Sequence, residues 1–470
     1  MGSLTASLNI ATQSMLAEEG AIETTTNNIA NANTPGYARQ VPNLEEAGTI
    51  QVGQLTFGTG VDLASVSSMR DAVLDLRVNQ ETQQQGQLSA FIGAGQQIQA
   101  LFNETSGTGL QSSITAFFNS LSELSTDPSD LTTREGVLTA AQNLTEAFNQ
   151  TSNNLTTLQR NTDLAVQQSV TQINSLTSQI AQVNEQVVAA TKSGENAGSF
   201  EDQRQQLINQ LSNYIGVSEI DAGNGGLTLT TTNGAALVVA GQSFALSTQA
   251  NPTTGFQDVY ANGADITSQI SGGELAGQIQ IRDQEIPSLQ NSLDTLAYNM
   301  TTAVNNQNEA GYDLNGTAGG AFFTPLTQVQ GAADSMGVAI TDPTLIAASG
   351  TPGPYNTSGN PDATGDNTNA NALLALQNDN IVDGQTPLSY YSDIVFKIGN
   401  DVSSAQTNEQ AGSQVLLQLQ NLQGGVSSVD INEEAANLVR FQTAYQASAQ
   451  VATVINNLLE TAINMVVPST

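Results

Sequence analysis

The chain reads as an α+β protein, mainly α, with its terminal helices paired as a coiled coil, a long helical bundle forming a rod, and a β-rich outer domain. Three observations predict it. Glycine and proline, the strongest breakers of regular structure, are absent from Val137 to Ser193 and from Val426 to Val467, whereas Gly216 to Gly384 holds 22 of the 41 glycines and seven of the 12 prolines. Apolar residues recur every seven positions near both ends and again in the first breaker-free stretch. Within the turn-rich middle the period falls to two. With 470 residues the chain also exceeds what one hydrophobic core supports, so two or three domains are expected.

Residues 3–33 fit one helix, with Leu8, Met15, Ile22 and Ile29 seven apart and Leu4 and Ala11 on the companion line. Helical patterns follow around 69–101, 110–125 and 199–214, and the tract Val166, Ile173, Ile180, Val187, with Leu176 and Val183 beside it, predicts a long bundle helix. Alternation in Leu227-Thr-Leu-Thr230, then Ala236-Leu-Val-Val239 and Phe244-Ala-Leu246, predicts short strands joined by turns at Asn233-Gly234 and Gly241-Gln242. From Leu275 to Asn308 the helical period returns through Ile286, Leu289, Leu293, Leu296, Met300 and Val304. Residues 350–371, rich in Gly, Pro, Asn, Thr and Asp, read as a surface loop.

Near the C-terminus Ile431, Leu438, Tyr445, Ala452, Leu459 and Val466 repeat every seven. Each terminal stripe is too narrow to form a core alone, so packing one end against the other is the simplest way to bury both. The expected organisation is 1–45 with 426–470 as a terminal coiled-coil unit, and 46–216 with 275–325 and 386–425 as a helical rod. Residues 217–274 form the β-rich outer domain, and 326–385 a turn-rich segment attached to the outer or rod domain.

Composition excludes several functions. Of 53 charged residues 43 are acidic, giving a formal net charge of -33, which repels phosphate and anionic lipid. Neither nucleic acid nor a membrane surface is an expected partner. Cysteine and histidine are both absent, which removes disulfides, thiolate metal sites, thiol nucleophiles and the usual neutral-pH base. The first thirty residues carry no Lys or Arg, and no run is long and apolar enough to span a bilayer, so the expectation is a soluble chain, cytoplasmic or exported by a non-standard route.

Two motifs are more specific. The first is Asn27-Asn-Ile-Ala-Asn-Ala-Asn-Thr-Pro-Gly-Tyr-Ala-Arg-Gln40, where Pro35 forbids Thr34 from staying helical and Pro35-Gly36 fits the centre of a type II turn. The second runs from Val429-Asp-Ile-Asn-Glu-Glu434 through Phe441-Gln442 and Ala444-Tyr-Gln-Ala447 to Asn464, with Asp430 or Asn432 a candidate N-cap. Taken bare, these are a helix stop and an amphipathic helix. Together they resemble the paired terminal signatures of the flagellar axial proteins, carried here by Asn31, Thr34, Pro35, Gly36, Tyr37, Phe441, Gln442 and Tyr445. Thr34-Pro-Gly-Tyr37 followed by Arg39-Gln40, the stretch Gly272 to Pro287, Gly311-Tyr-Asp-Leu-Asn-Gly316 with Phe322-Phe323, and Gly365 to Ala372 are similar to the hook-associated protein 1 family within that group. The likeness covers about 1–47, 272–326, 363–376 and 389–466; elsewhere only helical character and order match. The stretch before Gly311 departs from the family in lacking a histidine.

The resemblance implies a structural subunit of the flagellum, outside the cell at the junction of hook and filament, with no enzyme activity and no cofactor. It implies export unfolded by the flagellar type III apparatus and folding on assembly. The implied assembly seam is Leu8, Met15, Ile22 and Ile29 with Leu438, Tyr445, Ala452 and Leu459. Implied partners are further copies in a ring, the hook protein, the second junction protein, and a cytoplasmic chaperone on the C-terminal helix. Alternatives are another axial protein of the hook or distal rod, an exported carbohydrate-active protein suggested by acidity and a Ser/Thr/Asn-rich middle, and a cytoplasmic coiled-coil scaffold. Local site candidates are weak. Asp313-x-Asn315 matches the start of a calcium loop but lacks its later Gly and Glu, so a side-chain-stabilised turn is expected. The acid pairs Asp362/Asp366 and Glu433/Glu434 are common coincidences among 43 acids.

Overall fold

The computed structural model describes residues 2–52, 55–103, 109–352 and 365–466. The chain opens with α1 (Gly2–Asn31), whose end coincides with the approach to Pro35. Four strands follow: β1 (Gln40–Glu46), β2 (Thr49–Val52), β3 (Leu55–Gly58) and β4 (Val61–Ser68). β1 pairs antiparallel with β4, and β2 with β3, making an arm that lies along α1. Residues 46–68 were expected inside the helical rod, and the structure corrects this. Their polar and β-branched residues pair locally without a buried face of their own, so no strong alternation marked them.

The rod begins with α2 (Ala72–Leu101), capped by Asp71, whose carboxylate accepts the Val73 and Leu74 amides. α3 (Leu110–Thr126) leads to α4 (Leu131–Ser193), started by Asp130 and stopped at Gly194, whose φ of +75° suits a residue without Cβ. At 63 residues, α4 is roughly 95 Å long at 1.5 Å per residue. Val166, Ile173, Leu176, Ile180, Val183 and Val187 are all buried along it. α5 (Gly198–Tyr214) returns to the outer lobe, which holds a four-stranded antiparallel sheet of β5 (Val217–Asp221), β6 (Leu227–Thr231), β7 (Ala236–Val239) and β8 (Gln242–Ser243). A second sheet has the order β11-β10-β9, built from β9 (Leu246–Ala250), β10 (Gln257–Ala261) and β11 (Ala264–Asp265).

The chain then re-enters the rod through α6 (Gly273–Gln280), a π-helical turn (Ile281–Glu285) and α7 (Ile286–Glu309). Pro287 lies just after that turn, where the wider winding relieves the clash a proline ring makes with the carbonyl four residues back. The described residues of 326–385 pack on the rod. Ala332 and Ala333 of α8 (Ala332–Ser335), Met336, Ile346, and Ala370 and Leu373 of α9 (Thr368–Ala375) join the rod core. Of the loop expected at 350–371, residues 353–364, including Asp362, lie outside the described residues, and 368–371 are helical. Asp313 accepts the Asn315 and Thr317 amides at 2.9 and 2.8 Å, a side-chain-stabilised turn. The chain ends with α10 (Pro387–Ser427), antiparallel to α2, and α11 (Ile431–Val466).

Two hydrophobic cores result. The rod core gathers Phe117, Phe118, Phe148, Phe322 and Phe323 with leucines of α3, α4 and α7. The outer core runs from Val166 to Ala190 on α4, through α5, to Leu229, Val238 and Val259 of the sheets.

Candidate assembly interface

The two sequence signatures meet at one end of the molecule. Pro35 and Gly36 form the expected turn, with Gly36 at φ +78° and the Tyr37 amide donating to the Thr34 carbonyl at 3.2 Å. Asn31 braces it, donating to Asn27 and accepting the Thr34 hydroxyl at 3.2 Å. The turn lets the chain reverse so that Tyr37, Arg39 and Gln40 face back on α1. Asn28, buried on α1, then serves as a four-way splice. Its Oδ1 accepts the Tyr37 hydroxyl at 2.8 Å and the Gln40 amide at 2.9 Å, while its Nδ2 donates to the Gln40 carbonyl at 2.7 Å and to Glu434 Oε2 at 3.0 Å.

Glu434 lies in the first turn of α11, buried to 2% exposure, and its other oxygen accepts Arg39 Nε at 2.8 Å. Arg39 Nη2 reaches the exposed Glu433 at 2.6 Å, and its backbone amide donates to the Ser427 carbonyl at 2.8 Å. The acid pair Glu433/Glu434 is therefore a clamp for one arginine. Burial disfavours the charge on Arg39, but its bonds to both glutamates more than offset this and hold its pKa above the ordinary value. Burial, with Asp202 and Glu434 nearby, pushes the Tyr37 hydroxyl up to about 12. The loop is tied to the outer lobe as well, since the Ala38 amide donates to Asp202 of α5 at 3.1 Å, and Asp202 pairs with Arg70.

Beyond the clamp α1 and α11 run antiparallel, as the Asn28–Glu434 bond and the Ser14–Ser448 hydroxyl contact at 3.0 Å require. The buried residues of α1 are small: Ala11, Ala17, Ala21, Thr24, Thr25 and Asn28. Leu8, Met15, Ile22 and Ile29 sit beside that line and are half-buried, as are Leu438 and Leu459 on α11. Ala452 is buried, Tyr445 and Gln442 are exposed, and Phe441 is buried with the Arg440 guanidinium 4.7 Å from its ring centre. Phe441, Ser448 and Ile455, seven apart, make a second line of the α11 seam beside Leu438, Tyr445, Ala452 and Leu459, one that apolar spacing does not mark because a serine interrupts it. The seam is also incomplete. Burial raises the Glu18 carboxyl against the opposing effect of Arg440, and Glu18 Oε2 and Gln13 Oε1 are buried without a partner. On the outer side of α11, Val451, Val454 and Leu458 are 51, 57 and 50% exposed, three or four residues apart. No helix among the described residues is long and apolar enough to cross a membrane.

Residues 95–323 match the family model for the helical domain of flagellar hook-associated protein FlgK. Residues 8–37 match that of the flagella basal body rod protein, and 423–465 that of the flagellar basal body rod FlgEFG protein C-terminal region. The chain is 29% identical to flagellar hook-associated protein 1 of Bacillus subtilis over 97% of each chain. To its counterparts in Escherichia coli and Salmonella typhimurium it is 28% identical, over 97% of this chain and 99% of theirs. Its fold is similar to the hook junction protein FlgK of Burkholderia pseudomallei, with TM-score 0.66 and 20% identity, over 75% of this chain and all of that one.

Proposed function

The chain belongs to the flagellar hook-associated protein 1 family, and from that premise we propose that it is a structural subunit of the bacterial flagellum forming the junction between hook and filament. One observation carries the reading: both terminal signatures, far apart in sequence, are spliced by Asn28, Arg39 and Glu434 into one antiparallel helix pair. That pair is closed along one face and apolar on the other. A helix whose Val451, Val454 and Leu458 face solvent gains burial only when further chains pack on it.

We read residues 1–45 with 426–470, extended by the β arm to 68, as the unit that joins neighbouring copies in a ring. The hook protein on one side, the second junction protein on the other, and an export chaperone on the C-terminal helix are the partners this reading entails, with the finished subunit outside the cell. α11 packs chiefly on α1, with its first turn clamped to Arg39, which suits export unfolded and ordering on assembly. The subunit acts by shape and not by chemistry. The test is complementation: in cells lacking their own hook-associated protein 1, this chain should retain filament on the hook. Intact hooks with filament protein still lost to the medium, despite export of the chain, would exclude the junction role.

A further inference from the structure

The terminal unit, made of α1, the β arm and α11, shares no hydrophobic core with the body that runs from α2 to α10. Among the described residues, neither core includes any of 2–71 or 431–466. The chain passes between unit and body at two places, Met69-Arg-Asp71 from β4 into α2 and Ser428-Val-Asp430 from α10 into α11. Both links are irregular backbone, so no helix crosses this level. Two units joined by short links, with no apolar core between them, keep a set angle only through the polar groups that bridge them.

Away from the links, the bridging hydrogen bonds converge on α5 and the residues before it. The Ala38 amide donates to Asp202 Oδ2 at 3.1 Å, Gln206 Nε2 donates to the Pro35 carbonyl at 2.5 Å, and Asn196 Nδ2 donates to Gln40 Oε1 at 2.7 Å. Asp202 is 5% exposed, and its other oxygen accepts Arg70 Nη2 at 2.5 Å. One buried carboxylate therefore holds both the signature loop and the link into α2. The bond from the Arg39 amide to the Ser427 carbonyl lies at the second link itself, where it serves as a pivot and not as a brace. The space around the joint is polar and incompletely filled. A cavity of about 270 Å³ is lined by Thr34, Gly36, Arg70, Asp75, Gln206 and Gln423 among others, and Arg70 Nε is buried without a partner. A buried ionic contact of this kind adds little net stability against an apolar replacement but fixes geometry, because each bond has one direction in which it is satisfied.

We propose that Asp202 is the positioning residue that sets the terminal unit at one angle to the body, by seating the signature loop on α5. The inference is independent of the junction reading. The chain contains no cysteine, so spin labels on Ala64→Cys in β4 and Gln172→Cys in α4, both exposed, report one distance in the full-length protein. Because the first label sits in the arm, the reading does not require α1 and α11 to be ordered in the free chain. With Asp202 in place the distance distribution should be narrow. Asp202→Ala removes both bonds and should broaden it while helical circular dichroism stays unchanged. Asp202→Asn, which keeps an acceptor for the Ala38 amide but loses the charge facing Arg70, should broaden it less, and it decides the matter if Asp202→Ala does not fold. Leu211→Ala, a core change on the same helix, should lower the melting temperature and leave the width as it was. A broad distribution in the unaltered chain, an unchanged width in the folded Asp202 variants, or equal broadening by Leu211→Ala overturns the proposal.

Discussion

The α1/α11 pair and the rod share a seven-residue apolar repeat, yet they bury it differently. Along α4 the repeat Val166, Ile173, Ile180 and Val187 meets α5, α6 and strands of both sheets, and nearer the start of that helix Phe117, Phe118, Phe322 and Phe323 close on one another with ring centres 4.9–5.8 Å apart. In the terminal pair α1 offers alanines, threonines and Asn28 to a line of α11 holding Phe441, Ser448, Ala452 and Ile455, and the larger residues of α1 flank the seam half-buried. A pattern of spacing therefore specifies a helix face, but not whether one chain supplies enough neighbours to cover it. The rod is complete within the monomer. The terminal pair is complete on one side, and its remaining apolar surface is available to neighbours.

The largest difference should come from the rod. Phe117→Ala removes a fully buried ring at the centre of the aromatic group and should cost about 3–5 kcal/mol, read by denaturant unfolding of the full chain. A loss below about 1 kcal/mol, the range of a surface change, would mean the rod core is not closed in the monomer.

Leu459→Pro should act the other way round. It removes one helical hydrogen bond, clashes with the Ile455 carbonyl and costs roughly 3 kcal/mol within α11. Because α11 packs chiefly on α1, that cost should hardly move the main unfolding transition, while the cells lose filament retention. Asn457→Ala, at an exposed position, is the control and should leave motility intact. If Leu459→Pro lowers the main melting temperature as much as Phe117→Ala, the terminal pair is part of the rod's cooperative unit and the contrast between the regions fails.

Glu434→Ala leaves Arg39 with one exposed partner and Asn28 Nδ2 with one acceptor fewer. Breaking a buried pair costs about 3 kcal/mol or more, felt locally as faster hydrogen exchange in the last turn of α1 and the first of α11. Unaltered protection there would show that the helix seam, and not the clamp, sets the docking.

The smallest effects compare two glutamates whose pKa values burial raises, Glu219 in the outer lobe and Glu18 in the open seam. A carboxyl whose folded pKa lies above its unfolded one opposes folding once it is charged. That cost fades as pH falls through the folded value and vanishes below the ordinary 4.5. Glu219→Gln keeps an oxygen for Asn79 Nδ2 and should stabilise the main unfolding transition at pH 7, by no more than about 1 kcal/mol, with no gain below pH 4.5. Glu18→Gln should instead alter exchange protection in α1 alone. An equal shift of the main transition by both would again merge the two regions.

Much of this was readable beforehand. The long helix α4, the strands at 227–246, the return to helix after Gly272 and the turn at Pro35-Gly36 each follow from period or from a residue with one permitted conformation. The β arm at 46–68 was not readable, because its strands pair locally and have no alternating buried face. Apolar size points to Leu8, Met15, Ile22 and Ile29, whereas close approach of the α1 and α11 backbones selects Ala11, Ala21, Thr25 and Asn28 beside them. Arg39 and Glu434 each stood inside a recognised motif, yet nothing local pairs residues 395 positions apart.

The sequence by itself determined the long helical segments, the strands at 227–246, the acidic surface, the absence of thiol and imidazole chemistry, and the two terminal signatures, since all of these depend on composition and short-range period. Tertiary structure alone decided which line of each helix is buried, that Asn28 splices both ends, and that Asp202 accepts the Ala38 amide of the signature loop. Those outcomes depend on which backbones come within hydrogen-bonding distance, and that is fixed by packing over the whole chain and by no local pattern.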